Sequence, residues 1–155
     1  MKVFLVIVIA LAIFLFIRSN NNKALAEENI KIGEQFLATN KTVEGVIETE
    51  SGLQYQIMKS GEGSENPSPT SKVSVHYHGT LLDGTMFDSS VVRGKPLSFG
   101  LNQVIKGWTE GVQLMVEGDK FKFFIPATLG YGNSASGKIL PGSLLIFEVE
   151  LLAIQ

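Results

Sequence analysis

The sequence contains no cysteine, which excludes disulfide bonds, thiol catalysis and zinc sites built on cysteine, and leaves the redox compartment undetermined. It also lacks an excess of charge of either sign, since the formal net charge is −2 over 155 residues. A weakly acidic chain has no general attraction for polyanions, so we expect no nucleic-acid partner.

Glycine and phenylalanine, by contrast, are frequent, with 16 and 10 residues respectively. This combination is typical of a β protein with many turns and an aromatic interior. The length of the chain indicates one domain with additional segments.

An unbroken apolar run from Val3 to Ile17 follows Lys2 at the N-terminus. A cation before such a run is typical of a secretory signal. Ala24-Leu25-Ala26 supplies a possible cleavage site, after which Glu27 would be the first residue of the mature protein. The long charged spacer before this site argues against simple cleavage. The run is short for a spanning helix, which needs roughly 17–25 residues. Residues 1–26 are therefore predicted to be a signal peptide or a membrane anchor, with a buried soluble helix as the third alternative.

Residues 24–39 are predicted to form a short amphipathic helix, because Ile30, Gly33, Phe36 and Leu37 recur at helical spacing. We expect it to dock on the following domain or to connect that domain to a membrane. In domain terms, residues 27–48 are a helical lead.

Alternating apolar and polar residues predict strands from residue 43 onward. The predicted strands cover residues 43–47, 53–58, 73–78, 120–125 and 144–152, with a loop at 61–71. Asp83-Gly84 predicts a hairpin turn, and residues 104–115 contain a short helix. The predicted class is α+β: an antiparallel sheet wrapped around one short α-helix, preceded by the apolar helix and the lead helix.

Five segments, in order along the chain, resemble the signature segments of the FKBP family of peptidyl-prolyl cis/trans isomerases. They are Val75–Leu81, Asp83–Ser90, Val104–Trp108, Ile125-Pro126 with Tyr131-Gly132, and Leu145–Leu152. The segment Thr49–Tyr55 is similar to the bacterial macrophage infectivity potentiator branch of that family. The resemblance covers roughly residues 30–155.

The resemblance implies that residues 49–155 form an isomerase domain that accelerates rotation about X-Pro bonds in exported, periplasmic proteins. It implies catalytic roles for Tyr77, Phe87, Asp88, Trp108 and Tyr131. The implied substrate-binding residues are Leu97, Phe99, Val104, Ile105, Ile139, Leu140 and Phe147. It further implies proline-containing polypeptides as substrates, macrolides as inhibitors, and no cofactor or metal.

Particular roles follow from the same resemblance. Trp108 would form the floor of the pocket, and the Tyr131 hydroxyl and the Ile105 N–H would donate to substrate carbonyls. Asp88 would lie at the rim, where it accepts or orients hydrogen bonds. Ile139 and Leu140 would cover the proline from one side. Leu97 stands where many relatives have an aromatic residue, and Leu140-Pro141-Gly142 replaces a more proline-rich loop tip.

Simpler interpretations accompany these roles. Alternating aromatic residues are core residues by default, and we assign Phe121 and Phe123 to the core. Asp88 could cap the following turn. His76 and His78 are two apart on one strand and could bind a metal, but we expect solvated histidines.

Two questions of assembly and function stay open at this point. Relatives in the resembling branch often dimerise through a long N-terminal helical region that looks absent here, so we favour a monomer. The alternatives to an isomerase are a non-catalytic module that binds clients through the same pocket and a small barrel that carries an apolar ligand.

Overall fold

The computed structural model describes residues 2–155, with side chains described from residue 5 onward. Three helices and seven strands are assigned there. In chain order they are α1 (Lys2–Asn40), β1 (Val46–Glu48), β2 (Gln54–Lys59), β3 (Lys72–Thr80), β4 (Met86–Ser89), α2 (Ser90–Arg93), β5 (Leu97–Gly100), α3 (Lys106–Val112), β6 (Lys120–Ile125) and β7 (Leu145–Ile154). Short 3₁₀ turns occupy Leu101–Gln103 and Ala127–Leu129.

The seven strands form one antiparallel sheet in the order β1-β2-β6-β7-β3-β4, and β5 also pairs with β3. Strand β3 pairs with β7 over most of its length, while β5 and β4 pair with its first and last thirds. The predicted α+β class, with an antiparallel sheet around one short helix, is confirmed.

The core lies between the inner face of the sheet and α3. In β3 and β7 every second side chain is buried, as the alternation predicts, and the predicted core residues Phe121 and Phe123 of β6 are 3% and 0% exposed. Helix α3 approaches the sheet closely at two glycines. A Cβ atom on Gly107 would lie 2.6 Å from an Ile125 side-chain carbon, and one on Gly111 would lie 2.6 Å from the Phe123 ring. The sheet can wrap closely around α3 because these positions carry no side chain.

Strand β2 departs from the predicted alternation. Leu53 is fully buried and Tyr55 is half-buried, but Ile57 is 48% exposed and Gln54 is 0% exposed. The buried amide of Gln54 is satisfied: its oxygen accepts from the Asn40 side chain at 2.9 Å, and its nitrogen donates to Glu48 at 2.7 Å. These bonds close the end of α1 against the sheet, which explains why a polar residue can occupy an inner position.

The apolar helix and the lead helix predicted separately are a single helix, α1, of 39 residues. The polar stretch from Arg18 to Lys23 is helical as well, because the helix contains neither proline nor any glycine before Gly33. Asparagine and serine inside a helix cost only about 0.5–0.7 kcal/mol each relative to alanine. At about 1.5 Å per residue, α1 is about 58 Å long.

The second half of α1 docks on the domain, as expected. Ala26, Gly33 and Asn40 are buried along one stripe, and the Phe36 ring lies 5.8 Å from the Phe124 ring on the outer face of β6. The first half is different, since residues 5–24 are all exposed. Helix α1 is apolar enough to span a membrane, with a mean hydropathy of 1.7 over its best 18-residue window.

Candidate active site

A cavity of about 740 Å³ opens at the end of α3 between β3, β7 and the loop that follows β6. It brings together eleven of the twelve site residues predicted from the sequence: Tyr77, Phe87, Asp88, Leu97, Phe99, Val104, Ile105, Trp108, Tyr131, Ile139 and Phe147. The twelfth, Leu140, lies outside the lining and is 47% exposed, because its neighbour Ile139 takes the inward position.

The floor of the cavity is a cluster of aromatic rings around Trp108. Its ring centre lies 5.1 Å from that of Phe147 and 5.2 Å from that of Tyr77, both at 82°, and 5.3 Å from that of Phe99. Edge-to-face pairs of this kind are favourable by about 0.5–1.5 kcal/mol beyond the area they bury. The packed rings therefore give the cavity a rigid, apolar floor.

The indole N–H of Trp108 is buried and has no hydrogen-bond partner in the described part of the chain.

A glycine allows the wall of the cavity to close. A Cβ atom on Gly79 of β3 would lie 2.7 Å from the Phe87 ring and 2.8 Å from the Phe147 ring. These two rings pack edge to face, with centres 5.2 Å apart. Gly79 is thus the position that lets both aromatic side chains lie over β3.

The mouth of the cavity carries a polar triad formed by Tyr77, Asp88 and Arg93. The Tyr77 hydroxyl and the Arg93 guanidinium each donate to one carboxylate oxygen of Asp88, and Arg93 also donates to the Tyr77 oxygen at 3.0 Å. Arg93 was not predicted from the sequence. It reaches the triad because α2 turns the chain back immediately after Asp88.

The triad shifts the ionisation of its members. Partial burial alone raises the pKa of Asp88, but the hydrogen bonds from Tyr77 and Arg93 outweigh it, and the pKa lies below its ordinary value. Burial, reinforced by the bond to Asp88, raises the pKa of the Tyr77 phenol. Asp88 is therefore held ionised and Tyr77 protonated over the neutral pH range.

Two serines hold the triad in place. Ser89 caps α2 by accepting from the Val92 N–H at 3.2 Å, so Asp88 itself does not cap this turn. The buried Ser90 hydroxyl accepts from the Tyr77 N–H at 2.8 Å. The two histidines of β3 complete this layer, since His76 pairs with Ser90 at 2.9 Å and His78 with Ser89 at 3.0 Å. This corrects the expectation that both histidines are simply solvated.

Two candidate donors at the mouth are free. Tyr131 is 40% exposed at the end of the turn after β6, and its hydroxyl bonds to none of the described residues. The Ile105 N–H, just before α3, likewise donates to no group in residues 2–155.

The sequence analysis missed four lining residues: Gln103, Ser136, Gly137 and Lys138. They lie on loops, where no periodicity marks a residue that faces inward. The loop carrying three of them is held from outside by α1, because Asn29 donates to the Pro141 carbonyl at 2.8 Å and Ala26 packs against Gly142.

Comparison with known proteins explains this arrangement. The family model described as FKBP-type peptidyl-prolyl cis-trans isomerase matches residues 63–152, which include α2, α3, the strands β3 to β6 and most of β7. The chain belongs to the FKBP-type isomerase family. A second model, the domain amino-terminal to FKBP-type isomerases, matches residues 12–57. The resemblance predicted from the sequence motifs is thereby confirmed.

Relatives in this family cover most of the chain. It is 60% identical over 130 residues to the FKBP-type peptidyl-prolyl cis-trans isomerase FkpA of Aeromonas hydrophila, covering 84% of this chain and 48% of that protein. It is 45% identical to the outer membrane protein MIP of Legionella longbeachae, covering 89% and 59% respectively. The chain thus spans about half the length of the curated relatives it matches.

Solved structures in the same family agree with the fold. The crystal structure of FkpA from Escherichia coli superposes with a TM-score of 0.87 at 38% identity, covering 94% of this chain and 70% of that one. A peptidyl-prolyl cis-trans isomerase from Pseudomonas syringae superposes with a TM-score of 0.76 at 35% identity, covering 84% and 96% respectively.

Proposed function

We propose that this chain is a peptidyl-prolyl cis-trans isomerase that accelerates X-Pro isomerisation in exported polypeptides. The observation that carries the proposal is the aromatic cavity floored by Trp108, with two free hydrogen-bond donors, the Tyr131 hydroxyl and the Ile105 N–H, at its mouth. Relatives of up to 60% identity bear this activity in their names.

The chemistry requires no nucleophile. Rotation about an X-Pro bond is slow because amide resonance gives it a barrier of roughly 18–20 kcal/mol. Twisting the bond removes that resonance and lowers the dipole of the amide. An apolar cavity therefore favours the twisted amide over the planar one, which is preferential binding of the transition state.

The free donors fit this scheme. The proline ring would lie over Trp108, while the Tyr131 hydroxyl and the Ile105 N–H hold the carbonyls on either side of it. Asp88 is ionised and already bound to Tyr77 and Arg93, so it keeps the mouth polar and rigid. None of these groups has to exchange a proton during rotation.

The exported location is part of the same proposal. We place the domain in the periplasm, tethered by an uncleaved α1, and we favour a monomer. One feature supports retention of the N-terminus: Ala26, in the possible cleavage site, is 1% exposed in the folded chain. Cleavage would remove a residue that packs against Gly142. The intact mass of the exported protein distinguishes an anchor from a cleaved signal.

A peptide isomerisation assay on the full chain in mild detergent tests the activity. We expect acceleration of X-Pro isomerisation and a fall of about five- to tenfold in kcat/KM for Tyr131→Phe, the loss of roughly one hydrogen bond in the transition state. Tyr55→Phe is the matched control, because Tyr55 stacks on Phe121 at 5.5 Å outside the cavity. Equal losses in both variants would contradict the role of Tyr131.

Measuring macrolide binding beside isomerase activity distinguishes an enzyme from a module that only binds its clients. Trp108 is the single tryptophan of the chain, so its fluorescence reports directly on a macrolide that enters the cavity. A folded chain that binds the macrolide but accelerates no X-Pro peptide would be a binding module that uses the same cavity. That result would overturn the proposed activity.

A further inference from the structure

A second concave surface, of about 410 Å³, lies between the exposed part of α1 and the loop after β6. It is lined by Leu15, Arg18, Ser19, Asn22, Lys23 and Asn133. None of these residues lines the catalytic cavity. We call this the headgroup surface.

The chemistry of the headgroup surface suits a phosphate group beside an apolar chain. Arg18 and Lys23 supply two cations, the remaining polar residues supply hydroxyl and amide donors, and no carboxylate lines it. Leu15 closes one end with apolar surface. The nearest carboxylates along the helix, Glu27 and Glu28, lie one turn beyond Lys23 and outside the lining.

Its position along α1 matches the edge of a bilayer. The apolar run ends at Ile17, and Arg18 to Lys23 extend about 9 Å further at 1.5 Å per residue. A bilayer of about 40–45 Å with a hydrocarbon core of about 30 Å has polar layers of about 5–8 Å on each side. Arg18 therefore falls at headgroup depth when the apolar run is embedded, and Lys23 falls at the outer edge of the headgroup layer.

We infer that the headgroup surface binds anionic phospholipids of the membrane in which α1 is anchored, an inference that rests on the anchoring part of the proposed function. The binding has a consequence for the active site. Asn133 belongs to the same loop as Tyr131 and Lys138, both of which line the catalytic cavity. Headgroup contact thus holds the cavity mouth at the bilayer surface. Its substrates are X-Pro bonds in polypeptide segments next to the membrane.

Site-specific labelling of the full chain tests this, since the absence of cysteine makes single labelling clean. Ser134→Cys places a fluorophore on the exposed loop beside Asn133 without changing the headgroup surface. Ser64→Cys is the matched control, because Ser64 lies near the opposite end of β6. Its neighbour Gly63 donates to the Glu117 carbonyl, just before β6, whereas the loop of Ser134 follows β6. A strand of this length puts these two ends about 17–20 Å apart.

The labelled chains are reconstituted into vesicles of phosphatidylcholine, with or without phosphatidylglycerol, that contain a nitroxide-headgroup quencher. We expect at least twofold stronger quenching at residue 134 than at residue 64 in the anionic vesicles. Arg18→Gln with Lys23→Gln should remove that difference while the chain still floats with the vesicles.

Each other result overturns the inference in a recognisable way. Equal quenching at both sites means that the loop does not lie at the membrane. If quenching differs between the two sites but the difference changes neither with phosphatidylglycerol nor with the Arg18 and Lys23 substitutions, no anionic headgroup is bound. A chain that does not float overturns the anchoring as well, while the isomerase assay on the same sample reports separately on activity.

Discussion

Replacing Asp88 by asparagine tests the polar triad at the mouth of the cavity, because the change keeps the shape of the side chain and removes its charge. Asp88 receives one hydrogen bond from the Tyr77 hydroxyl and one from Arg93. The asparagine can keep one of these bonds as a neutral bond. Arg93 then loses its ion-pair partner, and the Tyr77 bond weakens.

The expected loss of stability follows from the exposure of the partners. The Arg93 and Asp88 side chains are 49% and 43% exposed, so solvent screens their ion pair and it adds little to stability. A hydrogen bond to a charged acceptor contributes about 1.5–3 kcal/mol and a neutral one about 0.5–1.5 kcal/mol. Asp88→Asn should therefore lower the free energy of unfolding by about 1–2 kcal/mol at pH 7, and Arg93→Ala should lower it by a smaller amount.

The pH dependence gives the sharper test. Because the pKa of Asp88 is lower in the folded protein, its contribution is complete above its unfolded pKa of about 4 and is lost as pH falls through the folded pKa. Urea unfolding followed by Trp108 fluorescence, in one detergent throughout, should show a gap between wild type and Asp88→Asn that shrinks below about pH 4. A gap of the same size at pH 7 and at about pH 2 would refute the reasoning.

Two further variants test the packing around the site. Gly107→Ala should lower the free energy of unfolding by about 1–3 kcal/mol in the same urea experiment, because its Cβ would lie 2.6 Å from an Ile125 carbon in a packed core. Asn29→Ala removes the bond from α1 to the Pro141 carbonyl and should raise KM about two- to tenfold at unchanged kcat, since the loop is loosened before substrate binds. The exposed Lys31→Ala is its control, and equal KM values for both variants would contradict the contact.

The inner faces of the central strands were predictable from alternation alone. In β7, Phe147, Val149 and Leu151 face inward and the two glutamates between them do not, as the period of two requires. In β2 the same rule fails at Gln54 because a polar partner, Asn40, arrives from α1. Alternation registers the hydropathy of a side chain and carries no information about a hydrogen-bond partner fourteen residues away.

The candidate site likewise contains residues that the sequence predicts and residues that it does not. Its aromatic members were predictable, since the family motifs contain Phe87, Trp108 and Tyr131 and the fold brings these segments together. Arg93 was not, although a signal existed. Ser89 is a favourable residue for starting a helix, and a helical turn that begins there returns the following residues toward Asp88. No comparable sequence pattern indicates that the polar residues of the loop after Tyr131 line the cavity.

Helix α1 shows why hydropathy and backbone structure have to be considered separately. The change in composition at Arg18 predicts a boundary between surroundings, apolar before it and aqueous after it. The change in composition does not predict where the helical backbone ends, and α1 continues through Arg18 without a break. A linker of flexible coil would let the domain turn freely beside a membrane. A continuous helix, fixed to the domain through Ala26, Gly33 and Phe36, instead gives the aromatic cavity one orientation relative to the apolar segment.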